Sequence, residues 1–339
     1  MLHRNNFAGD ELKFGFEVPT SGVFAGPDSL ARVARHGEQI GFDYLHIGDH
    51  LVIPRSIQSS YPYSDSGAFL GEWSSKENQG EDDLGLHFEQ LTTLSYLAAN
   101  TNKINLLSSV CILPYRQPVL TAKILATIDV LSNGRLIVGC GAGWMEEEFE
   151  ALGLDTFKKR GSVTNEYIDA FRELWTSPNP TFKGEYVSFS DIYFAPKPIQ
   201  KPYPPIWIGG ESPAAIRRAA NYGDVWYPFG NNPQYPLDTI DRLKNGIEKL
   251  NCKLDEADRD INKIGIALSA EMWYSDTDPI FDENGNRKLL TGEPSQVAED
   301  IYNLAEIGVS YLTLDYKGTD IDETLYKMER FTKLVKALL

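Results

Sequence analysis

The sequence predicts an α/β fold, one (β/α)8 barrel with insertions. Eight short apolar runs alternate with helical stretches, and no proline falls inside any of them. Such runs are how strands buried on both faces read. No shift of composition divides the chain, and 339 residues lie within the range of one α/β barrel. Within residues 104–144, strand, helix and strand follow so tightly that the two strands must be parallel. A doubly wound open sheet shares the alternation. The count of eight, with a helix after the last strand, favours the closed ring.

Residues 1–12 are polar and charged, which predicts a loose N-terminal arm before a barrel domain at 13–339. Residues 13–18 form the first strand. Asp28 caps a helix that runs to Ile40 and stops at Gly41. Residues 44–47 are the second strand, followed at once by Gly48-Asp49-His50. Residues 54–86 are long, polar and aromatic, with Tyr61, Tyr63, Phe69 and Trp73, and read as a lid insertion.

A helix at 89–99 leads to the third strand, 104–109. Pro118 opens a helix to Leu131 with Leu120, Ile124, Ile128 and Leu131 on one stripe. Asn133-Gly134 ends it before the fourth strand, 135–139. The glycines from Gly139 to Gly143 either admit a flat ligand against the backbone or merely supply positive φ. Glu146, Glu147 and Glu148 read as a solvated face of the next helix.

Smaller insertions are expected at about 177–200, including a hairpin at 186–194, and at about 275–291. The remaining strands are 206–208, 224–227, 264–272 and 311–315, each followed by a helix.

A net charge of −16 argues against nucleic-acid or anionic-membrane surfaces. Cys111, Cys140 and Cys252 are too scattered for a disulfide framework or a zinc site, and no apolar run approaches a membrane span. A cytoplasmic protein is expected, with no metal.

In a (β/α)8 barrel the site lies where strands end. Glu17 ends the first strand, where it either lines the interior or takes part in structural pairing. Asp49 and His50 follow the second strand. His50 has the place of a general acid or base, or of a donor to a cofactor nitrogen, with Asp49 orienting its neighbours. Ser109-Val110 ends the third strand, and Ala142-Gly143-Trp144 follows the fourth. Gly209-Gly210-Glu211-Ser212-Pro213 is either a phosphate-binding helix start or an ordinary capped one. Trp144 and Trp226 read as packing residues more than as stacking ones.

The run SSVCILPYRQPVLTAKILATIDVLSNGRLIVGCGAGW carries a family likeness, with GFDYLHIGDH before it and PPIWIGGESPAAIRRAANYGDVWYP after it. Together they resemble the bacterial luciferase-like flavin monooxygenase superfamily, and within it the F420-dependent oxidoreductases. The resemblance implies a TIM barrel holding FMN or coenzyme F420 at the strand ends. It implies a non-prolyl cis peptide at Ser109–Val110 behind the ring. It places Ala142, Gly143 and Trp144 near the ring or its chain, and Gly209, Gly210, Ser212 and Ala214 at the phosphate. Arg217 and Arg218 are candidates for the polyglutamate tail of F420.

The family's sugar-phosphate dehydrogenases carry a glutamate where this chain has Trp144. The resemblance therefore points to a flatter or more apolar small organic substrate, and to a homodimer. Hydride transfer with F420 leads, ahead of an FMN-dependent monooxygenase using O2. A non-catalytic flavin-binding protein is the reading from another class.

Overall fold

Alternation within each strand sorts side chains between the barrel interior and the helical layer. The computed structural model describes residues 12–69, 86–270 and 278–338. Most of the N-terminal arm and residues 70–85 of the expected lid, Trp73 among them, lie outside the described residues.

In chain order the elements are β1 (Lys13–Glu17), α1 (Pro27–Gln39), β2 (Tyr44–Ile47), α2 (Gln90–Asn100), β3 (Asn105–Ile112), α3 (Pro118–Leu131) and β4 (Leu136–Gly141). Next come α4 (Glu146–Ala151), α5 (Arg160–Thr176), the strands β5 (Phe182–Lys183) and β6 (Ser188–Phe189), β7 (Ile206–Gly209) and α6 (Pro213–Tyr222). The chain continues through β8 (Val225–Tyr227), α7 (Ile240–Glu256), β9 (Gly265–Ala270), α8 (Pro294–Glu306), β10 (Val309–Leu314) and α9 (Ile321–Leu334).

Eight parallel strands close a barrel in chain order, with β1 beside β10, while β5 and β6 form a separate antiparallel pair. The expected fold is the observed one.

Tyr44, Leu107, Ile137, Trp207, Val225, Tyr227 and Ala267 pack inside the ring. Leu45, Leu106, Val138, Ile208 and Trp226 face the helices in the main core. A Cβ on Gly15 would overlap the Tyr44 ring, so the glycine makes room for an aromatic interior.

The β3–β4 register shifts between Ser108 and Cys111, where the Ser109–Val110 peptide is cis. A Cβ on Gly139 would strike the Ser108 carbonyl, and one on Gly141 would strike Val110. One on Gly209 would come within 2.8 Å of Val110 Cγ1. These glycines therefore seat the β3 bulge against its neighbours, a use that neither sequence alternative for the run foresaw.

Three expectations need correction. The cap of α1 is Gly26, with Asp28 inside the first turn. On α3, Leu120 and Leu131 are 58% and 66% exposed. The buried face runs through Thr121, Ala122, Leu125, Ala126 and Ile128, and its two alanines let the helix lie close to the sheet. The run Glu146–Glu148 is not a solvated face, because Glu148 is fully buried.

Candidate active site

The Glu148 carboxylate is the centre of the β2 side of the barrel mouth. Its Oε2 lies 2.8 Å from His50 Nδ1 and accepts from Tyr115 Oη at 2.9 Å. Its Oε1 accepts the amides of Leu51 at 2.7 Å and Val52 at 3.2 Å. Burial alone would raise its pKa, but the hydrogen bonds from His50, Leu51 and Val52 hold it below the usual carboxylate range. A carboxylate at Nδ1 makes that nitrogen the donor, leaving Nε2 of the neutral ring as the basic atom. The His50 ring stands beside Phe69 at 5.1 Å and Trp144 at 6.4 Å between centroids.

Asp49, expected in the catalytic set, has both oxygens committed. Oδ2 accepts from Ile112 N at 2.8 Å and Arg116 Nη1 at 2.7 Å, and Oδ1 accepts from Arg116 Nη2 at 2.7 Å. Arg116 also binds Glu89 at 2.8 Å. This cluster ties the end of β2 to the end of β3, so Asp49 holds the frame of the mouth.

Glu17 shares the interior face of β1 with Gly15 and lies in register with His46 of β2. Tyr227 stands nearby, its pKa raised first by burial and also by the charge of Glu17. Tyr44 Oη and Thr313 Oγ1 lie 2.8 Å apart, Tyr227 donates to Thr313 at 3.1 Å, and Ser109 Oγ is 3.1 Å from Tyr227 Oη. These hydroxyls make a polar floor inside the ring.

Across the mouth stands an aromatic wall. Trp144 contacts Tyr61 at 5.1 Å and Phe69 at 5.3 Å, and Tyr63 meets Phe229 at 4.7 Å. Gly143 adopts φ 84°, and its carbonyl accepts from Arg160 Nε at 3.0 Å. Ala142 is partly exposed beside it.

On the β7 side, Gly210 takes φ 104°, a conformation side chains rarely adopt. Its N–H donates to Tyr227 O at 3.1 Å, and its carbonyl accepts from Trp226 Nε1 at 2.9 Å. The Gly210 amide is therefore not offered to an anion, which corrects part of the expected phosphate set. Ser212 Oγ caps α6 by accepting from Ala215 N at 3.2 Å, while Ala214 in the first turn is exposed. Glu211 is buried and accepts from Asn232 Nδ2 and, at 3.2 Å, from Phe229 N. Burial pushes its pKa up to about 7. Arg218 is buried and donates to Asn165 at 2.6 Å and Gly161 O at 3.1 Å, so of the two candidate arginines only Arg217 faces out.

Sequence reasoning missed Glu148, Tyr115, Arg116, Arg160 and His46. Glu148 lies 98 residues from His50, and nothing local separates it from the two glutamates before it. Among the described residues no group of three or more histidine, cysteine or acidic side chains is placed to hold a metal, and no helix is long and apolar enough to cross a membrane.

A bulged strand, a hydroxyl floor and an aromatic wall suit a flat ring with polar edges. This is the architecture of a barrel oxidoreductase with its chemistry at the strand ends. A family model described as luciferase-like monooxygenase matches residues 14–278, and the chain belongs to that family. It is 29% identical over 263 residues to the FMNH2-dependent dimethylsulfone monooxygenase of Pseudomonas putida, covering 66% of this chain and 72% of the relative.

It is also 25% identical over 348 residues to the F420-dependent glucose-6-phosphate dehydrogenase of Amycolatopsis mediterranei (strain U-32), covering 93% of this chain and 95% of the relative. The solved coenzyme F420 dependent tetrahydromethanopterin reductase from Methanopyrus kandleri shares the fold. There the TM-score is 0.72 at 17% identity, over 97% of this chain and 99% of that one. The protein is thus an enzyme, a luciferase-like oxidoreductase or monooxygenase of a family that uses reduced FMN or F420.

Proposed function

We propose that this enzyme moves a hydride between F420 and a small organic substrate, with His50 as the acid–base group. The observation that carries the reading is the His50–Glu148 pair, a histidine held by a buried carboxylate beside an aromatic wall. Ser109, Val110, Ala142, Gly143 and Trp144 would line the ring, and Gly209, Ser212 and Ala214 would lie along its phosphate tail. The bound deazaflavin supplies a carbon that accepts or gives up hydride.

A substrate carbon that loses hydride leaves its O–H or N–H acidic, and His50 Nε2 takes that proton while Glu148 stabilises the resulting imidazolium. In the reverse direction the imidazolium returns it. Tyr61, Phe69 and Trp144 exclude water and favour a flat or apolar substrate over a sugar phosphate. Glu17 lines the interior as a second acidic group.

A second reading, an FMN-dependent monooxygenase, draws on the likeness to the dimethylsulfone enzyme. Absorption titration of the purified protein with F420 and with FMN separates the two. F420 is expected to bind more tightly, and turnover to proceed without oxygen consumption. Tight FMN binding with O2 uptake overturns the hydride-transfer reading in favour of the second.

A further inference from the structure

His46 is a barrel-interior residue left out of the hydroxyl floor. It follows Tyr44 on the same face of β2, in register with Glu17 of β1 and Leu107 of β3. Its Nδ1 is buried and has no hydrogen-bond partner. The neighbouring hydroxyls are satisfied by one another, since Tyr44 and Tyr227 share Thr313 and Ser109 joins Tyr227.

Barrel interiors are normally filled by branched apolar side chains, and a buried unpaired nitrogen costs stability. Burial pushes the pKa of His46 down to about 3, so the ring is neutral at physiological pH. A neutral imidazole presents one donor and one acceptor nitrogen and can exchange them between tautomers. The residue lies one strand from the Ser109–Val110 bulge and four residues before His50.

We propose that His46 is a positioning residue that hydrogen-bonds the polar edge of the cofactor ring from the barrel interior. The inference rests on the flavin or deazaflavin reading above. The pyrimidine edge of either ring alternates carbonyl and N–H groups. A neutral imidazole meets such an edge in either tautomer, without fixing a charge beneath it.

The test uses the full chain with His46→Phe and His46→Asn. Each is melted without cofactor and then titrated with F420 and with FMN by absorption. Without cofactor, the Phe variant should melt no lower than wild type, because the unpaired nitrogen is gone. Its affinity for whichever cofactor the wild type binds should fall about tenfold or more, the loss of one buried hydrogen bond, and the bound ring's absorption band should shift.

The Asn variant should recover affinity to within about threefold, well under that tenfold loss. If the Phe variant does not fold, His46→Ala should show the same loss of affinity. Unchanged affinity in the Phe or Ala variant, with the wild type binding normally, overturns the inference alone. A Phe variant that melts lower and binds as well as wild type makes His46 a structural residue. A wild type that binds neither cofactor overturns both this inference and the reading beneath it.

Discussion

Two buried glutamates flank the barrel mouth, and their surroundings send them in opposite directions. Burial works to raise the pKa of each. At Glu148 the hydrogen bonds from His50 and from the Leu51 and Val52 amides outweigh burial, and the group stays a carboxylate. At Glu211 only Asn232 and the backbone oppose it, and the pKa climbs to about 7. The number of donors aimed at an oxygen, more than its depth, decides whether the charge survives. The Glu148 side is therefore built to hold an imidazole and share its proton. The Glu211 side carries an acid whose charge is weakly supported, next to the Ser212 cap of α6.

The largest expected effect lies on the Glu148 side. His50→Ala should lower turnover by about 10²–10⁴, the range for removing one acid–base group. Cofactor affinity should change by less than about tenfold, or about 1.4 kcal/mol. Equal losses in affinity and rate would make His50 a binding residue instead.

Glu148→Gln should be milder, about 10–100-fold in turnover, as when a carboxylate that orients a histidine is removed. Combined with His50→Ala it should add little, since both act through one proton path. Additive losses, measured as kcat of the single and double variants, would break the pairing.

Gly141→Ala tests the seat of the β3 bulge. Its new methyl meets Val110, so stability should fall by about 1–3 kcal/mol in denaturant titration. Val110→Ala in the same chain should recover part of the loss. No recovery would mean that the glycine is needed for something other than Val110.

The smallest effect is expected from Glu211→Gln, and it depends on pH. With a folded pKa of about 7 against an ordinary 4.5, the folded state binds the proton more tightly than the unfolded one. Stability of the wild type therefore falls as pH rises from 4.5 through 7 and stays reduced above. The variant should melt like wild type near pH 5 and a few degrees higher at pH 8. A melting difference that is the same at both pH values would show that Glu211 does not titrate in this range.

Much of the barrel was legible because strand burial on two faces leaves a local mark, a short apolar run between turn residues. The position of His50 at the mouth was legible because it lies three residues past a strand end, whereas the Ser109–Val110 cis peptide was implied by the family resemblance alone. The face of α3 was misread because Leu120 and Leu131 are as apolar as the true core residues. Only the closeness of the sheet selects the small ones, Ala122 and Ala126. The family resemblance puts Gly210 at a phosphate, yet its N–H is taken by the carbonyl of Tyr227 on the neighbouring strand.

By itself the sequence determined the eight strands, their parallel order and the end of the barrel that carries chemistry, since these follow from local pattern and chain connectivity. The tertiary structure alone decided which acid serves which partner. Glu148 reaches His50 across 98 residues, Arg116 takes Asp49 across 67, and His46 is left unpaired inside the ring. Hydrogen bonds between distant residues depend on how strands and helices stack, and an acidic side chain looks the same in the sequence whether it meets water, an arginine or a histidine.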